Sequence, residues 1–149
     1  MLAATVIAMC AQKHPKVDHG PYIAAVSGSL EARDIRVATV GVTVSDGRRE
    51  ATLELRPDQG AFPGPVRAEA SACWDEDNGW SMLVRHELPG SHVHEGLDVL
   101  PDPEDVAAWA VVLLAHPELT PSMENLPFRE HSAADPAFEA RLARYAAGV

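Results

Sequence analysis

The stretch "IRVATVGVTVSDGRREATLELRP" at 35–57 leaves this chain few ways to fold. Two runs rich in β-branched residues meet at Asp46-Gly47. A two-residue type I′ turn needs positive φ at both central positions, and Asp-Gly supplies it at low cost. A turn there pairs Val42 with Ala51, Val40 with Leu53 and Ala38 with Leu55, while Thr43 faces Glu50 and Thr39 faces Glu54. One face is wholly apolar and the other polar, the pattern of an antiparallel sheet covered on one side. Val40, Val42, Leu53 and Leu55 are therefore expected to be buried, and Thr39, Thr43, Glu50 and Glu54 exposed.

A second hairpin follows from parity. In "CWDEDNGWSMLV" at 73–84, a two-residue Asn78-Gly79 turn would set Trp74 against Leu83 and leave no clean apolar face. A five-residue loop, Asp75–Gly79, instead pairs Trp74 with Trp80, Ala72 with Met82 and Ala70 with Val84. On the other face Cys73 then meets Ser81, and Glu69 meets Arg85. That register is the better one, and it makes the tryptophans a cross-strand aromatic pair.

Helices bracket the strands. "GPYIAAVSGSLEARDI" carries Pro in its first turn and an i, i+4 stripe through Tyr22, Val26 and Leu30. Gly28 weakens that helix by about 1 kcal/mol relative to Ala, which fits close packing on a sheet. "DPEDVAAWAVVLLAHP" at 102–117 opens with a capping Asp, Pro at N1 and two acids that suit the positive end of the helix dipole. It is apolar almost all round, Trp109 included, so deep packing is expected. A last helix starts at Asp135-Pro136, with Phe138, Leu142 and Tyr145 as its stripe. The prolines at 117, 121 and 127 separate it from the rest. It either packs back on its own core or reaches outward to a partner. The chain thus divides into a loosely ordered lead-in (1–19), a core domain (20–117), and an extended strap with a C-terminal helix (118–149).

Charge excludes one class of partner. The net charge is −10, and 68–105 holds ten acids against one base, Arg85. Such a surface repels phosphates, so nucleic acid is not the expected ligand. No run of eighteen apolar residues spans a membrane. The opening "LAATVIAMCAQ" lacks a basic region, and Met9 stands where a lipoprotein box needs a small residue. The two cysteines, Cys10 and Cys73, form no disulfide framework, and Cys73 reads as a small buried hydrophobe. A cytoplasmic setting is expected.

Candidate chemistry is sparse. His92 and His94 alternate as strand residues do, so with Glu95, and His86 upstream, they are the transition-metal candidates. No third ligand motif follows them, and no nucleophile elbow or phosphate loop occurs. The acids of Asp75–Gly79 have the oxygen density of a calcium loop but not its spacing, and read as a solvated turn. No cofactor is indicated. Trp74, Trp80, Phe138, Leu142 and Tyr145 are the partner-binding candidates.

The segments "GPYIAAVSGSLEA", "ATLELRPD", "WDEDNGWSMLV" and "VLPDPEDVAAWAVVLLA", in that order, resemble an actinobacterial family known as domain of unknown function 6292. The likeness covers roughly 20–117, and ten arginines against two lysines fit a GC-rich genome. The resemblance implies a compact α+β domain in the bacterial cytoplasm and carries no activity.

The expected architecture is a two-layer α+β sandwich. Two hairpins make a four-stranded antiparallel sheet, with helices on its apolar face and a C-terminal helix beyond. Its element order is similar to small chaperone folds that serve bacterial secretion. The expected function is a non-catalytic protein-binding or regulatory module that meets a protein partner or pairs as a homodimer. The alternative is a small metal-assisted enzyme or ligand sensor built on His86, His92, His94 and Glu95.

Overall fold

The first hairpin closes as its turn chemistry dictates. Asp46 and Gly47 hold φ of 52° and 79°, and Ser45 pairs with Arg48 across the turn. The computed structural model describes residues 16–84, 91–94, 98–119, 121 and 127–147. In chain order they form α1 (Gly20–Glu31), β1 (Ile35–Ser45), β2 (Arg48–Pro57), β3 (Ala70–Asp75), β4 (Gly79–Val84), β5 (His92–Val93), α2 (Pro103–Ala115) and α3 (Pro136–Ala146). The strands make one antiparallel sheet in the order β1-β2-β3-β4-β5. The fold is α+β, with a fifth short strand where four were expected.

Registers follow the alternation, with one informative departure. Val42 meets Ala51, Val40 meets Leu53, Thr43 meets Glu50 and Thr39 meets Glu54. Beyond them the register shifts between Val37 and Thr39, and Val37, not Ala38, faces Leu55. Ala38 is the extra residue of a β-bulge. Unbroken parity would turn Arg36 inward and Ile35 outward. The bulge reverses this, so Ile35 is buried and Arg36 exposed. In the second hairpin Trp74 pairs with Trp80, Ala72 with Met82, Ala70 with Val84 and Cys73 with Ser81, as the five-residue loop requires. Arg85 lies outside the described residues.

The helices cover the face formed by Ala51, Leu53, Leu55, Ala70, Ala72, Trp74, Trp80, Met82 and Val84, all buried. Tyr22, Ile23, Val26 and Leu30 of α1, Val106, Ala107, Ala110, Leu113 and Leu114 of α2, and Phe138 and Leu142 of α3 pack into the same cluster. Gly28 does not mark close packing; a Cβ there would meet nothing within 4 Å. Trp109 is half-buried, its indole N–H donating to the Val93 carbonyl at 3.3 Å. Cys73 is half-buried on the open face of the sheet. Arg67 is buried and donates to the carbonyls of Leu113, Pro117 and Leu119. With its backbone N–H on the Leu114 carbonyl at 2.8 Å, it satisfies two acceptors in the last turn of α2 and two in the segment that follows.

The main correction concerns β1. Leu53 and Leu55 are fully buried, but Val40 is 49% and Val42 40% exposed, on the same face of the sheet. Alternation fixed which face these valines occupy; it did not fix how far the helix layer extends over the edge strand. Thr39 and Thr43 are exposed as expected, whereas Glu50 and Glu54 are half-buried.

Candidate functional site

Four constellations compete. His92 is buried on β5 opposite Met82, with the Arg67 guanidinium 3.5 Å from its ring. His94 stacks edge-on against Trp109 at 5.6 Å. His86 and Glu95 lie outside the described residues. Among the described residues no group of three His, Cys, Asp or Glu is placed to hold a metal ion.

The aromatic candidates form an interior assembly. The Trp74 indole donates to the Val99 carbonyl at 2.7 Å. Trp80 donates to the Tyr22 hydroxyl at 3.0 Å, which in turn donates to the Pro101 carbonyl at 2.7 Å. Burial holds the Tyr22 phenol far above its usual pKa, so it stays neutral and donating. Phe138 and Leu142 are buried and Tyr145 stacks edge-on against Tyr22 at 5.0 Å. The last helix therefore packs back on its own core, with Tyr145 half-buried at the rim of its apolar stripe. Arg141 fixes it further, with bonds of 3.2 and 2.6 Å to Asp98 and 2.8 Å to the Leu100 carbonyl.

The acidic turn is the unexpected site. Far from being solvated, Glu76 is 0% and Asp77 6% exposed. Arg49 donates to the Glu76 carboxylate through its backbone N–H at 2.6 Å and its guanidinium at 3.0 and 3.1 Å. Arg129 adds a bond of 2.9 Å and Lys16 one of 3.2 Å. Arg49 also binds Glu139 of α3, and Arg129 lies 3.8 Å above the Phe138 ring. Asp77 accepts from His131 at 2.7 Å, and its carbonyl accepts from the Arg129 N–H at 2.9 Å. Burial opposes the charge on Glu76, but the bonds from Arg49 and Arg129 outweigh it and pull its pKa down to about 2. Both Glu76 carboxylate oxygens are occupied by the chain's own cations. The turn is an anchor for 127–147.

What remains open is the edge of the sheet. On β1, Val40, Val42 and Val44 stand on the helix-side face at 49%, 40% and 63% exposure. A groove of about 420 Å³ runs between Val42–Val44 and Lys16–His19. No charge or proline interrupts residues 37–45. Edge strands usually carry such interruptions, because their free N–H and C=O groups template pairing with another chain. The signal in the sequence was the uncharged, proline-free run 37–45 itself.

The profile of a family of unknown function (DUF6292) matches residues 22–111, more than half of the chain. The chain belongs to this family. No curated protein and no solved structure matches it. The DUF6292 segment runs from α1 into α2, so it contains the whole β1 edge and both Arg49 and Glu76. Arg129 and Glu139, which complete the anchor, lie beyond it. The anchor is thus where a C-terminal extension is tied to the DUF6292 core.

Proposed function

We propose that this chain is a non-catalytic protein-binding module of the bacterial cytoplasm, and that its partner docks along β1. The observation that carries this reading is the row Val40, Val42 and Val44, exposed on a strand with no charge from 37 to 45. A strand of that composition gains main-chain hydrogen bonds and side-chain burial at once when another segment lies beside it. The acidic balance of the chain favours a protein over a nucleic acid. Among the described residues no helix is long and apolar enough to cross a membrane. A photo-crosslinking amino acid at position 42, in cells of the native host, tests the reading. Adducts with a polypeptide are expected at 42 and not at Thr52, exposed on the open face. An equal yield at the two positions counts against the edge.

A further inference from the structure

We propose that the chain seated on β1 is a second copy of this protein, joined antiparallel about a two-fold axis at Gly41; this rests on reading the edge as a docking face. A two-fold interface uses one patch against itself, so the patch must be self-complementary. The sequence of β1 has that property. Thr39-Val40-Gly41-Val42-Thr43 reads the same in both directions. Antiparallel pairing about Gly41 sets Val40 against the partner's Val42 on the helix side, and Thr39 against the partner's Thr43 on the open side. Val–Val and Thr–Thr contacts of this kind stabilise neighbouring strands. Charge selects the same direction. Arg36 and Asp46 stand at opposite ends of the uncharged run, so antiparallel pairing brings the basic end of each copy toward the acidic end of the other. A parallel arrangement would set like against like.

The helix layer supplies the second argument. α1 covers the inner face of β1 where Ile35 is buried and leaves Val40, Val42 and Val44 bare. A two-fold at Gly41 keeps both helix layers on one side of the joined sheet and brings each copy's α1 toward the other copy's bare valines. Among the described residues the opposite edge of the sheet, β5, spans only His92–Val93.

Disulfide trapping in the full chain tests the register, in a background carrying Cys10→Ser and Cys73→Ser. A Cβ at Gly41 would meet only the Thr52 carbonyl at 3.9 Å, so Gly41→Cys is accommodated. Directly opposed residues on antiparallel strands have Cα atoms about 4.5–5.5 Å apart, within disulfide reach. Under mild oxidation Gly41→Cys should give a covalent dimer and Thr39→Cys alone should not. A mixture of Thr39→Cys and Thr43→Cys chains should give the mixed dimer. Sedimentation should show twice the chain mass, and Val42→Lys should halve it with an unchanged circular dichroism spectrum. A chain that stays monomeric up to hundreds of micromolar, or a dimer that Gly41→Cys does not trap, overturns the proposal. The crosslinker at position 42 separates this failure from that of the parent reading. Reaction of a monomeric chain with a different polypeptide overturns the second copy and leaves the docking edge standing. Reaction with residues 1–15 of the same chain overturns both.

Discussion

Arg49 and Glu76 meet out of contact with water, the arginine side chain 2% exposed and the glutamate 0%. A buried pair of this kind contributes little net stability relative to apolar residues of the same shape, but removing one partner strands the other charge. The pair joins β2 to the turn between β3 and β4, and each member holds a second ion from the C-terminal segment, Glu139 for Arg49 and Arg129 for Glu76. Docking of α3 and completion of the sheet's charged turn are thus one structural event.

Glu76→Gln should therefore destabilise the chain by up to about 3–5 kcal/mol in urea unfolding, since it takes one of two carboxylates from the buried Arg49 and leaves it only Glu139. Arg129→Ala, at a side chain 13% exposed, should cost less. The double variant should lose less than the sum, because both changes act on one network. Strict additivity would mean that the two ions do not share an anchor.

The same carboxylate sets the acid limit. Its pKa is about 2 in the fold, against an ordinary value near 4.5. A depressed carboxylate contributes stability that is fully present above the ordinary value and lost as pH falls toward the depressed one. Urea midpoints should therefore hold steady above about pH 4.5 and drop between there and about pH 2, by on the order of 2–3 kcal/mol from this group. Asp98 beside Arg141 and Glu139 beside Arg49 are shifted the same way and steepen the fall. Glu76→Gln should show a shallower decline in that window; an unchanged slope would remove Glu76 as its source.

Strand register was legible in the sequence because it rests on local chemistry. Asp46-Gly47 fixes one turn, and parity around Trp74 and Trp80 fixes the other. The bulge at Ala38 was legible only in retrospect, as the device that keeps Arg36 out of the core. Burial at the anchor was not legible at all. The partners of Glu76 stand 27 and 53 positions away, and nothing in "DEDNG" distinguishes a carboxylate awaiting two arginines from a solvated one. The exposure of Val40 and Val42 was hidden for a similar reason. Alternation assigns a face, whereas coverage depends on where helices from both ends of the chain come to rest.

That difference between face and coverage is measurable. Leu53 is 0% and its strand partner Val40 49% exposed. Leu53→Ala should cost about 2–5 kcal/mol through lost burial and a residual cavity. Val40→Ala in the same assay, under dilute conditions, should stay within about 1 kcal/mol, because water already reaches the site. Comparable losses would place Val40 in the interior.

Two positive-φ glycines among the described residues provide the last comparison. Gly47 and Gly79 both hold φ of 79°, where a side chain costs about 1–2 kcal/mol on backbone grounds alone. Their surroundings differ. A Cβ on Gly47 would meet nothing within 4 Å, so Gly47→Ala should lose that backbone cost and no more. A Cβ on Gly79 would lie 3.2 Å from the Val99 Cα and 3.5 Å from the Asp98 carbonyl oxygen. Backbone cannot swing aside as the end of a side chain can. Relief would displace Val99, whose carbonyl accepts the Trp74 indole N–H, and Asp98, which holds Arg141 of α3. Gly79→Ala should therefore exceed Gly47→Ala by about 1–3 kcal/mol, the usual cost of overpacking. Its tryptophan fluorescence should change while that of Gly47→Ala stays native. Equal losses for the two variants, with native fluorescence in both, would show that the Val99 segment yields freely and does not brace the tryptophan pair.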